Sequence, residues 1–93
     1  MLEYAPDRQV AVRPLGTLCK GESGVVAALV DTGSAYWRSG ELTDRLLEMG
    51  FIEGTPVEIL HEGPIGRDPV GIRLHNSVIA LRRSEANAIL VTD

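Results

Sequence analysis

The stretch Leu42-Thr43-Asp44-Arg45-Leu46-Leu47-Glu48-Met49-Gly50-Phe51-Ile52-Glu53-Gly54-Thr55-Pro56-Val57-Glu58-Ile59 holds a helix, its stop, a turn and the start of a strand with almost no slack. Leu42, Leu46 and Met49 recur at i, i+4 and i+7, and Leu47 widens the apolar stripe, which predicts an amphipathic helix from about Glu41 to Met49. Glu41 and Asp44 fall in its first turn, where negative charge favours the positive end of the helix dipole. Gly50 stands at C′, the position that needs a left-handed residue, and Phe51 at C″ is placed to cover Leu46. Gly54-Thr55-Pro56 then turns the chain into a strand with Val57 and Ile59 inward and Glu58 outward.

Working outward, short strands appear on both sides. Residues 1–8 read as a polar lead-in, and Val10, Val12 and Leu15 suggest a first strand limited by Pro14 and Gly16. After the Gly21–Gly24 turn, Val25-Val26-Ala27-Ala28-Leu29-Val30 is apolar at every position and predicts a central strand. Residues 31–40 form a polar loop that carries Tyr36, Trp37 and Arg38. Beyond the helix, Val70, Ile72 and Leu74 alternate with Gly71, Arg73 and His75, and Ile79 and Leu81 alternate with Ala80 and Arg82. His75-Asn76-Ser77 reads as a tight hairpin turn with Asn76 at positive φ, and residues 63–69 as a wider loop. Ser84 is placed to cap a single helical turn before Ile89-Leu90-Val91 closes the sheet. These elements predict one mainly β domain, a small SH3-like barrel of five or six short strands with an inserted α-helix.

Composition sets the limits on function. The chain has 93 residues, 44% of them hydrophobic, with one Phe, one Trp and two Tyr, so its core is built from Val, Ile, Leu and Ala. A chain this size buries roughly 60–65% of its unfolded surface, enough for one core. Thirteen acidic against nine basic residues give a net charge of −4, the wrong sign for a nucleic-acid binder and for direct docking on an anionic membrane. The single Cys19 excludes an intrachain disulfide and a CxxC pair. No apolar run approaches the roughly 18–20 residues of a membrane span, and the first residues lack signal-peptide character, so a cytoplasmic protein is expected.

The residues that could carry chemistry divide into three groups. Ser23, in Gly21-Glu22-Ser23-Gly24, lacks the glycine spacing of a nucleophile elbow, and no phosphate-binding G-x-x-x-x-G-K-[ST] loop is present, so no enzymatic activity is expected. His61 and His75, with Glu58, Glu62, Asp68 and Cys19, are the only metal-ligand candidates, and they show no local ligand spacing; solvated histidines and a buried, inert Cys19 are the plainer reading. Neither a metal nor another cofactor is expected. Tyr36 and Trp37 beside Arg38 are of the types that dominate binding hot spots, although Trp37 could instead fold back onto the core. Pro64 and Ile65 offer a second exposed apolar point, and Arg82 and Arg83 could pair with an acidic partner surface or simply be solvated.

Residues 46–57, Gly63-Pro64-Ile65-Gly66 with Asp68-Pro69, and Ile79-Ala80-Leu81-Arg82-Arg83-Ser84-Glu85-Ala86 together resemble the FeoA family, over about residues 9–92. Two positions depart from the family pattern: Glu53 stands where proline is common, and Arg67 is an extra residue in the Gly-Asp-Pro loop. The resemblance implies a small cytosolic SH3-like protein of bacterial ferrous iron uptake, whose partner is the FeoB permease with its cytosolic GTPase domain. It further implies that Leu46 and Met49 lie close to Pro64 and Ile65 in a permease-docking patch, with Tyr36 and Trp37 as a second contact. Two alternatives are a ferrous-ion carrier using His61 and His75, and the barrel domain of a metal-dependent repressor. The latter is disfavoured because a DNA-binding region does not fit in 93 residues with a net charge of −4.

Overall fold

The computed structural model describes residues 11–33 and 36–93. Its strands are β1 (Val12–Pro14), β2 (Ser23–Leu29), β3 (Pro56–Ile65), β4 (Asp68–Leu74), β5 (Ser77–Leu81) and β6 (Ile89–Thr92). They form one antiparallel sheet in the order β1-β6-β2-β3-β4-β5. Helix α1 (Glu41–Met49) lies between β2 and β3, and the single turn α2 (Arg83–Ala86) between β5 and β6. One cluster of buried residues draws on every strand except β1, on both helices and on the 3-10 turn Leu15–Thr17. The sheet therefore curls around a single core, as expected of a small sheet that must hide its apolar face.

The helix stop is built as the sequence implies. Gly50 has φ 113°. Its N–H donates to Leu47 O, and Phe51 N–H reaches back to Leu46 O, each at 3.0 Å. This is the paired hydrogen-bond pattern of a Schellman cap, with Phe51 and Leu46 both fully buried. The next turn is fastened to β2: Gly54 N–H donates to Val26 O at 2.8 Å, and Val26 N–H donates to Thr55 O at 2.9 Å. A side chain at position 50 would adopt a left-handed backbone and press its Cβ to 3.4 Å from Leu74 Cδ2. Gly50→Val is expected to cost about 1–2 kcal/mol and to lower the melting temperature by several degrees; an unchanged thermal melt contradicts the cap.

Five local expectations need correction. The first strand is shorter than read, because Leu15 turns into the 3-10 segment and is buried there; Val10 lies outside the described residues. β2 is central, between β6 and β3, but only Gly24 and Val26 are buried along it, and a bulge between Val26 and Ala28 shifts its register on β6. The expected wide loop at 63–69 is instead a hairpin: β3 runs to Ile65, which pairs with Asp68 across Gly66 (φ 64°) and Arg67 (φ 60°). Two consecutive left-handed residues match the twist of the flanking strands, and a register shift between Glu62 and Ile65 accommodates Pro64. In the second hairpin the left-handed residue is His75 (φ 57°) rather than Asn76. At the start of α2, Glu85 rather than Ser84 does the capping, its carboxylate accepting the Arg82 N–H at 3.0 Å.

Candidate interaction site

The polar loop before α1 is tied down at its ends. Asp31 accepts from Gly33 N–H at 2.9 Å and from Ser39 Oγ at 3.0 Å. Those bonds, led by the Gly33 N–H, hold its carboxyl below the usual aspartate range. Arg38 N–H donates to Glu41 Oε1 at 3.0 Å, which fixes the entry into α1. Held this way, Trp37 folds partly onto the core while Tyr36 stands 89% exposed. The Arg45 guanidinium lies over the Trp37 ring, 5.4 Å from its centroid, within cation–π range.

A cleft of about 310 Å³ brings this loop to the start of α2. It is lined by Tyr36, Trp37, Leu42, Arg82, Ser84 and Glu85. Three of the residues singled out from sequence, Tyr36, Trp37 and Arg82, therefore meet across more than forty positions of chain. Arg45 belongs with them and was not singled out. No fixed spacing links a loop tryptophan to a residue in the second helical turn, so only the fold brings them together.

Other candidates lie elsewhere. Leu46 is fully buried beneath Phe51 and cannot meet a partner. Arg83 is withdrawn too: its side chain is 19% exposed, and Nη2 lies 2.7 Å from Glu62 Oε2. Nη1 donates to Gly16 O at 3.0 Å and Leu18 O at 2.7 Å, and Nε to Arg67 O at 2.9 Å. Met49, Pro64 and Ile65 are exposed, Ile65 at 83%, but they do not form one patch. Gly50 sits against Leu74, which pairs with Val57, whereas Ile65 lies eight residues farther along β3. At about 3.3 Å per residue that is roughly 26 Å along the strand. Leu47 and Ile52, both about half-exposed, join Met49 near the helix end, and Leu47 lines a groove between α1 and β2 with Ala27, Leu29 and Phe51.

The structure separates the metal candidates. His61 lies opposite Gly71, while His75 follows Leu74 at the far end of that strand pair. Four strand residues put them roughly 13 Å apart, too far to share one ion. No group of three or more His, Cys, Asp or Glu among the described residues is arranged to hold a metal. Cys19 is exposed rather than buried. Purified protein is expected to carry well under one iron or zinc per chain, with a melting temperature indifferent to EDTA. A stoichiometric metal that EDTA removes, and that His61→Ala or His75→Ala weakens, contradicts this. A larger cleft, about 420 Å³, is lined in part by Ser23, His75 and Asp93, but no hydrogen bond links these side chains into a nucleophile and base.

A family model described as the FeoA domain matches residues 13–93. The chain belongs to the FeoA family. It is 31% identical to the FeoA of Stenotrophomonas maltophilia, a structure solved with zinc, over 85% of this chain and 87% of that one, with a TM-score of 0.69. That protein is described as a prokaryotic SH3 domain protein and a candidate activating factor of ferrous iron transport. A FeoA-like protein from Clostridium acetobutylicum is 26% identical over 89% of this chain and 87% of that one, with a TM-score of 0.74. A manganese-dependent transcriptional repressor shares the fold at 16% identity, covering 91% of this chain and 43% of its own, with a TM-score of 0.74. None of the curated proteins compared matches the chain. This FeoA-family domain has the SH3-like fold expected from its strand pattern, and no helix among the described residues is long and apolar enough to cross a membrane.

Proposed function

We propose that this FeoA-family protein is an accessory factor of bacterial ferrous iron uptake that acts by docking on the cytosolic part of a FeoB-type permease. It is not an enzyme, and it works in the cytoplasm, reaching the inner membrane through its partner. The observation that carries the reading is the cleft where an exposed tyrosine, a half-buried tryptophan and an arginine converge. Tyr, Trp and Arg supply most of the energy at protein interfaces because they combine large contact area with a polar handle. The ferrous-carrier alternative loses its support with the separation of His61 from His75.

The test is binding of the purified chain to the purified cytosolic domain of the permease from the same organism, with and without GTP. Saturable one-to-one binding in either state is the expected result. Absence of binding in both states overturns the reading.

A further inference from the structure

The charges around the Trp37 cleft are distributed unevenly. The ion pairs among the described residues are Arg13 with Glu22, Arg73 with Glu58 and Arg83 with Glu62. Lys20, Arg38, Arg45, Arg67 and Arg82 have no carboxylate within salt-bridge distance among the described residues. Two of those five belong to the cleft: Arg82 lines it, and Arg45 stacks on Trp37. The carboxylates of Glu41 and Glu85 are nearby, but each is held by a backbone N–H, that of Arg38 and that of Arg82 respectively. Asp44 and Glu48, also on α1, form no ion pair with Arg45. An acidic protein thus keeps beside its one tryptophan two guanidinium groups that pair with no carboxylate among the described residues.

We infer that this cleft is the permease-docking surface, and that it takes an acidic segment carrying an apolar side chain, which packs on Trp37 and Leu42 while its carboxylates meet Arg45 and Arg82. The inference rests on the accessory-factor reading above and adds to it the surface and the chemistry of the partner. Guanidinium groups pair with carboxylates in charge-assisted, often bidentate hydrogen bonds, which suits them to acidic motifs.

The experiment measures affinity for the purified cytosolic domain with wild type, Arg45→Glu, Arg82→Glu and the charge-matched control Lys20→Glu, each verified by an unchanged melt. Arg45→Glu and Arg82→Glu are each expected to weaken binding about tenfold or more, and Lys20→Glu by less than about twofold, with wild-type affinity falling as salt rises. If the domain binds wild type but the three reversals act alike, or Arg82→Glu tightens binding, the inference is overturned and the accessory reading stands. If wild type does not bind at all, both fall. GTP alone, added to the free chain, is expected to leave the fluorescence of Trp37 unchanged; quenching at micromolar GTP reassigns the cleft to a nucleotide and overturns the inference.

Discussion

Arg83→Ala is expected to lose about 3–5 kcal/mol, the largest effect of any polar substitution among the described residues. The Arg83 side chain ties three parts of the fold to the start of α2. It holds the 3-10 segment through Gly16 O and Leu18 O, the β3–β4 hairpin turn through Arg67 O, and β3 through Glu62. Its backbone N–H adds a bond to Asp68 Oδ1 at 2.9 Å. Removing the guanidinium leaves a largely buried Glu62 carboxylate and three carbonyls without their donor, and it is this uncompensated burial that makes the loss large. For a domain of this length the melting temperature should fall by more than about 10 °C. Arg83→Lys keeps the charge but cannot reach all three elements, so it should recover less than half of the loss. A drop of under about 3 °C for the alanine variant contradicts the assignment of Arg83 as an internal strut.

Gly16→Ala should be comparably severe, for a steric reason. A Cβ at position 16 would overlap the Asn87 side-chain oxygen and the Arg83 carbonyl oxygen. The carbonyl cannot step aside, because it accepts the Asn87 N–H at 3.0 Å and is part of the α2 turn. The 3-10 segment and α2 must therefore separate, at about 3 kcal/mol or more. Gly21 is the useful contrast. Its φ of 92° strains an alanine, but nothing lies within 4 Å of the added Cβ, so that change should cost only about 1–2 kcal/mol. Urea denaturation of the two variants ranks these effects, and a Gly16→Ala milder than Gly21→Ala contradicts the close approach.

These two positions also mark the boundary of what the sequence reveals. The helix stop at Gly50 was legible because its determinants are local: an apolar repeat, a glycine and a following aromatic, within ten residues. The inward-facing residues of β3, β4 and β5 were legible because strand alternation is local as well. Gly63 and Pro64 misled, since glycine and proline usually mark a loop, and here a register shift absorbs them within a continuing strand. Arg82 and Arg83 read as equals, yet neighbours on a helical turn point in different directions. One faces the cleft, and the other is consumed inside the fold. The types of Tyr36 and Trp37 made them candidate binding residues, but Arg82 joins them only through the cleft that brings the loop before α1 to the start of α2.

The central claim is that the partner covers the Trp37 cleft. Hydrogen–deuterium exchange of the chain, alone and bound to the purified permease cytosolic domain, tests it most directly. New protection is expected in residues 36–45 and 82–85, with the hairpin tip at 63–68 unchanged. Protection confined to that tip, or to residues 47–53 along the groove between α1 and β2, would contradict it.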